Sequence, residues 1–180
     1  MSYFGIRKDD EIIVPAAITE DIFHYAVHEG LAFSASVNNT SGNSYMCFKT
    51  PDTTSYLHLL YEFAGQDNCV FNIWEGVTPG VGGTDQIVYN KNRASAMNGR
   101  GASGVIAGNT NTVGSVQVDQ AFSGGTQINP HGFFTQRNGG VDNAEKEFVL
   151  ERNTFYGFLL DPIGTNDNGF TLTWFEVPTA

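Results

Sequence analysis

The chain divides into short apolar segments separated by turn-forming residues, and this pattern constrains its fold more than any other feature. Residues 31–37 alternate apolar and polar side chains and run into the turn signal Asn38-Asn39. Roughly eight to ten segments of this kind, with turn signals about every ten residues, are typical of a β-sandwich or jelly roll. We therefore predict an all-β, single-domain β-sandwich, a jelly roll, with long Gly/Asn-rich loops.

The individual strands follow from the same pattern. Pro15 restricts the first segment to a sheet edge. Residues 21–28 fit neither the helical nor the strand period, so they stay open between a helical turn and a strand, and no helix is predicted. The last two strands are expected to pair as a hairpin with a long tip. The predicted strands are residues 31–37, 45–49, 56–63, 69–75, 86–90, 113–122, 147–150, 154–160 and 170–177, with 12–18 as a candidate edge strand and 132–135 as a candidate short strand.

Composition agrees with a β-rich domain. Of the 180 residues, 41% are hydrophobic, 16% are charged and 21 are glycine, whereas helical proteins need more charged and alanine-rich faces. The formal net charge of −10 disfavours nucleic acid and anionic lipid as partners, because both repel an acidic surface. Residues 1–10 are predicted to be a flexible N-terminal arm and residues 11–180 the sandwich domain. Residues 93–112, mostly small and polar, are expected to form a long loop of functional importance.

The two cysteines and the lengths of the apolar segments indicate the cellular compartment in which the protein is expected to be made and used. Cys47 and Cys69 lie in apolar segments and are expected to be buried free thiols, with a bridge between neighbouring strands as the alternative. The N-terminal residues lack the apolar region of a signal peptide, and no apolar run approaches about 18 residues. We expect a protein made and used in a cytoplasm, or assembled there into something larger.

Catalytic and metal-binding patterns are weak. His24 and His28 are spaced for one face of a helix, but the glutamate of a metalloprotease motif is missing between them. Glu62 and Glu75 end predicted neighbouring strands, yet strand-end glutamates usually face solvent. Residues 161–169 match a calcium loop poorly, and neither a nucleophile elbow nor a phosphate loop is complete. The sequence therefore predicts no enzyme, no cofactor and no metal site.

Aromatic residues raise one alternative to a purely structural role. Lectins built on a β-sandwich stack sugars on exposed aromatic rings, and Trp74, Trp174 and Tyr89 are available for this. Both tryptophans lie in apolar strands, which favours core packing for them. Apolar side chains also occur before the first core strand, at Tyr3 and Phe4, where they suit an arm that becomes ordered on a neighbouring subunit.

Four stretches of the chain have a familiar order. They are residues 28–33, 48–51 followed by 58–59, the pair 74–78 and 89–93, and 150–156 followed by 174–176. In this order they resemble a family of tailed-phage head decoration (cement) proteins. The resemblance implies a β-sandwich that forms trimers and clamps neighbouring capsomers, and it implies no catalytic residue.

The resemblance sets the functional expectation. We expect a phage capsid decoration protein that is assembled in the bacterial host cytoplasm. It binds the major capsid protein on the outside of the head shell as a homotrimer and stabilises capsomer contacts, without nucleic acid, membrane or cofactor. A carbohydrate-binding module of a phage fibre or tail remains the alternative. The predicted capsid or subunit contacts are Tyr3, Phe4, Arg7, Asn90, Asn92 and Arg93.

Overall fold

The structure is a computed structural model that describes residues 7–8, 11–12, 22–52, 55–66, 68–92, 116–130, 147–164 and 167–178. Several predictions lie outside the described residues: the loop at 93–112, the strand at 132–135, most of the strand at 12–18, and the contacts Tyr3, Phe4 and Arg93.

The described residues form fifteen strands and one helix. In chain order they are β1 (Arg7–Lys8), β2 (Glu11–Ile12), α1 (Ile22–His28), β3 (Ala32–Asn39), β4 (Ser44–Lys49), β5 (Ser55–Gly65), β6 (Cys69–Glu75), β7 (Thr78–Pro79), β8 (Thr84–Asp85), β9 (Tyr89–Asn90), β10 (Val116–Val118), β11 (Phe122–Ser123), β12 (Thr126–Pro130), β13 (Phe148–Leu150), β14 (Phe155–Pro162) and β15 (Asn168–Pro178).

Two large antiparallel sheets make up the domain. One has the strand order β13-β5-β15-β3-β9 and the other the order β12-β6-β14-β4-β10-β8. Two small ribbons, β1-β2 and β7-β11, complete the pairing among the described residues. The predicted all-β sandwich is confirmed.

The core lies between the two sheets because alternate side chains of each long strand point inward. On β6, for example, Cys69, Phe71 and Ile73 are fully buried and the residues between them are not. Phe48 of one sheet packs on Trp174 of the other with ring centroids 5.7 Å apart. Full burial of each large apolar side chain stabilises the fold by about 1.5–3 kcal/mol. The expectation that Cys47 and Cys69 are buried free thiols is confirmed.

A helix covers part of the outer face of the five-stranded sheet, so the prediction of no helix is wrong. Helix α1 packs Ala26 and Phe23 against Phe175 and Ala32, and the rings of Phe23 and Phe175 meet edge to face at 5.4 Å. It ends before Gly30, whose φ of 73° is the left-handed cap that glycine adopts readily. Seven residues are too few for a helix to persist alone, so these contacts stabilise it.

The predicted C-terminal hairpin is also wrong. β14 pairs with β4 and β6, whereas β15 pairs with β3 and β5 in the opposite sheet. The chain between them therefore crosses from one sheet to the other. Periodicity identified both strands but carries no information about which strand each one pairs with.

The segment 86–90, predicted as one strand, is another crossing. β8 pairs with β10 in the six-stranded sheet, and β9 pairs with β3 in the five-stranded sheet. Between β8 and β9, Val88 is fully buried in the core, so its side chain anchors the crossing segment. β7, the strand before this segment, pairs with β11 and therefore does not form a hairpin with the segment.

Candidate functional site

The stretches that carry the family resemblance converge at one end of the sandwich. At this end β3, β5 and β14 begin and β4, β6 and β15 end. We call it the Thr50 end. Residues far apart in the sequence are hydrogen-bonded there.

Thr50 holds the turn that precedes β14. Its hydroxyl donates to the carbonyl of Glu151 at 2.7 Å and accepts from the amide of Thr154 at 2.9 Å. The amide of Asn153, whose φ of 55° lies in the left-handed region, donates to the carbonyl of Pro51 at 3.2 Å. These bonds fix the connection between β13 and β14 on the end of β4.

Buried Tyr156 and partly buried Glu75 form a hydrogen-bonded pair behind this turn. The Tyr156 hydroxyl donates to Glu75 Oε2 at 2.6 Å and accepts from the amide of Glu151 at 2.8 Å. Burial raises the pKa of Tyr156 well above its ordinary value, and the hydrogen bond to Glu75 is the second-largest cause. Glu75 therefore acts as a structural acceptor. Glu62 lies on β5 in the opposite sheet, so the expectation that the two glutamates sit on neighbouring strands is wrong.

Asn90 and Asn92 connect the edge strand β9 to the end of the helix. Buried Asn90 donates from Nδ2 to the carbonyl of Gly30 at 2.8 Å and accepts at Oδ1 from the amide of Asn92. Asn92 in turn donates to the carbonyl of His28 at 2.8 Å. Both amides therefore satisfy carbonyl groups at the helix C-terminus. Their predicted role as capsid or subunit contacts stays a prediction.

Arg7 lies in the ribbon β1-β2, where it pairs with Ile12. In the part of the chain that the structure describes, this ribbon is a separate two-stranded sheet that pairs with neither large sheet. The arm predicted for residues 1–10 therefore includes β1, and its partner strand β2 lies just after the arm, at residues 11–12.

The histidines do not assemble a metal centre in the described part of the chain. His24 and His28 lie one turn apart on α1 with their Nε2 atoms 2.9 Å apart. His58 is elsewhere, stacked on Phe175 at 4.9 Å and paired with Glu147. No group of three or more His, Cys, Asp or Glu side chains suited to a metal ion occurs among the described residues. Zinc sites use three or four protein ligands, so two imidazoles alone do not complete one.

A concave aromatic site lies on the outer face of the six-stranded sheet, and sequence reasoning missed it. The site is an open cavity of about 310 Å³ that we call the aromatic cup. Its lining residues are Tyr45, Trp74, Phe122, Ser123, Gly124, Gly125 and Leu159.

The three candidate sugar-stacking residues differ in exposure and location in the structure. Trp174 is fully buried in the core, as expected, whereas Tyr89 is half-exposed at the sheet edge. Trp74 is only partly buried and lines the aromatic cup. Its indole N–H is enclosed and has no acceptor among the described residues.

Phe122 forms a wall of the cup because it lies on a short segment, residues 120–123, that we call the flap. β11 pairs with β7, and the Gln120 side chain donates to the carbonyl of Gly80 at 2.8 Å. The flap thereby places the Phe122 ring against Gly157, between Trp74 and Tyr45. A lone glycine within an apolar strand was the available signal, because it often marks a close approach.

Comparison of the chain with protein-family models, with curated proteins and with solved structures gave no match. The described part of the chain contains no helix with the length and apolar character needed to cross a membrane.

Proposed function

We propose that this protein is a tailed-phage head decoration protein that binds the outside of the capsid shell as a homotrimer and has no enzymatic role. The observation that carries the proposal is the convergence of the family-like stretches at the Thr50 end. Sequence stretches up to about 145 residues apart meet there, as in the bonds from Thr50 to Glu151 and from the amide of Glu176 to the carbonyl of Leu31.

The exposed side chains at the Thr50 end suit a protein contact. Tyr56 is 42% exposed and Phe155 is 38% exposed. Each has a cation beside its ring, at 5.5 Å from the centroid: Arg152 by Tyr56 and Lys49 by Phe155. Aromatic rings and arginine are enriched among the residues that contribute most to binding at protein interfaces.

The N-terminal ribbon supports a second contact in the same proposal. Among the described residues, β1 and β2 pair with each other and with neither large sheet, and we propose that this ribbon docks on a neighbouring subunit. In a trimer on a shell, several weak contacts of this kind add by avidity. Preferential binding to the mature shell over other forms would then stabilise the mature form.

We also infer jelly-roll topology for the sandwich. Successive long strands β3, β4, β5 and β6 alternate between the two sheets, as do β13, β14 and β15. Two sheets built by such crossings are the arrangement of double-sheet jelly rolls. This fold is compatible with a capsid-surface role and does not by itself imply one.

Co-sedimentation with capsid shells that lack the protein tests the proposal. We expect the wild-type chain to pellet with mature shells at saturating stoichiometry. The double variant Tyr56→Ser/Phe155→Ser should bind at least tenfold more weakly. The matched control is Ile163→Ser, because Ile163 is 67% exposed at the opposite end of β14. No pelleting of the wild-type chain, or equal loss in the control, would contradict the proposal.

A further inference from the structure

We propose that the aromatic cup binds the ring of a neutral sugar. The inference goes beyond the decoration role and does not depend on it. It starts from the chemistry of the lining, which consists of three aromatic rings, one leucine, one serine and two glycines, none of them charged. Small-ligand sites are mostly apolar with a few polar groups. A lining of this kind matches a ligand with one apolar face and no net charge.

The rim of the cup supplies the polar groups that a sugar needs. Asn72 lies opposite Leu159 in the strand register, and Gln127 lies opposite Trp74. The two amides are joined by a bond of 2.7 Å from Gln127 Nε2 to Asn72 Oδ1. Each amide has further donor and acceptor capacity beyond this bond. Sugar hydroxyls both donate and accept, so they complement such a rim.

Charge disfavours an anionic ligand at the cup. Asp161 is exposed two residues beyond Leu159, on the same side of β14. Its carboxylate accepts hydrogen bonds from hydroxyl groups but repels phosphate or carboxylate ligands. The formal net charge of −10 for the whole chain acts in the same direction. Among sugars, these charges favour a neutral pyranose over an acidic one.

The walls of the cup are fixed without a ligand. Phe122 lies on Gly157, and the backbone amide of Gly80 donates to the carbonyl of Ala121 at 2.8 Å, which anchors the flap. On the other side, Tyr45 accepts a bond at its hydroxyl from Asn43 at 3.1 Å. A preformed site loses less conformational freedom when it binds. A ligand the size of one ring is still expected to bind weakly, with a Kd of about 1 mM.

The test uses the two tryptophans as separate reporters. In a ¹H–¹⁵N spectrum of the full chain, Trp74 and Trp174 each give one indole N–H signal, and Trp74→Phe identifies which is which. The probes are methyl glycosides of glucose, galactose, mannose and N-acetylglucosamine. We expect at least one of them to shift the Trp74 signal saturably and to leave the signal of core residue Trp174 in place.

Variants locate the binding. Tyr45→Ala and Phe122→Leu should each weaken binding at least tenfold, whereas Tyr89→Ala, which alters an exposed ring outside the cup lining, should leave it unchanged. The unchanged Trp174 signal establishes that each variant is folded. The inference is overturned if none of the four glycosides shifts the Trp74 signal, or if the shift survives in both cup variants. It is equally overturned if an anionic sugar such as N-acetylneuraminic acid binds as well as the neutral ones.

Discussion

The ring of Phe122 lies directly on the backbone of Gly157. A Cβ atom added to Gly157 would come within 2.7 Å of Cδ1 and Cε1 of that ring. Gly157 is the third residue of β14, where it pairs with Trp74 on one side and Cys47 on the other. The absence of a side chain at this position therefore lets the flap close over the outer face of the sheet.

Gly157→Ala should displace Phe122 and destabilise the fold by about 1–3 kcal/mol, the usual cost of overpacking. Urea unfolding would measure the change. The double variant Gly157→Ala/Phe122→Ala removes the clash, so its loss should be smaller than the sum of the two single losses. Additive losses would show that the ring does not pack on this glycine.

Tyr156→Phe should cost about 1–3 kcal/mol, because it removes the hydroxyl that joins Glu75 to the amide of Glu151 within a buried site. Chemical denaturation measures the loss. Tyr89→Phe, which alters a half-exposed tyrosine, is the matched control and should change stability by less than about 0.5 kcal/mol. Equal effects of the two variants would argue against a stabilising hydrogen bond between Tyr156 and Glu75.

Alkaline pH should destabilise the protein through Cys47. Burial raises the pKa of this thiol from 9.0 to about 12. A folded-state pKa above the unfolded one means that stabilisation is complete below pH 9 and is lost as the pH rises toward 12. Tyr61, Cys69 and Tyr156 also have raised pKa values, mainly because of burial, and shift the balance the same way.

The Cys47→Ala variant isolates the contribution of one thiol. Between pH 8 and 11 its unfolding free energy should fall less steeply than that of the wild type, whatever its absolute stability. Denaturation midpoints at several pH values give the slope. Parallel curves for the two proteins would refute a role for Cys47 in the alkaline loss.

Asn90→Ala should loosen the helix from the sheet edge. The change removes the bond to the carbonyl of Gly30 and the acceptor for the amide of Asn92, and it leaves buried groups without partners. We expect a loss of about 1–3 kcal/mol. Hydrogen exchange of the α1 amides should accelerate more than that of the β5 amides. Asn92→Ala, at a more exposed position, should have a smaller effect, and the reverse order would contradict the account.

The positions of many strands could be predicted from the sequence, because the local alternation of apolar and polar side chains encodes them. Residues 69–75 alternate so regularly that the predicted strand and β6 coincide, and the sandwich follows from many such segments. The partner of each strand was not predictable in this way. β14 and β15 are consecutive and both apolar, yet they belong to opposite sheets because each is buried between two strands from elsewhere in the chain.

The helix and the cup were missed for the same reason. Helix α1 depends on Phe175, which lies about 150 residues away and offers an apolar surface only once β15 is in place. Phe122 was assigned to the end of a strand, and its position in the cup depends on pairing with Pro79. The role predicted for Asn90 as a capsid or subunit contact stays a prediction, and the contacts seen in the described residues are with the helix end and with Asn92.

Quantitative mass spectrometry of purified virions tests the central claim most directly. The copy number of this chain is measured against that of the major capsid protein. The account predicts a high and fixed ratio, near one copy per capsid subunit or one trimer per three-fold position. A few copies per particle, or none, would contradict a decoration role.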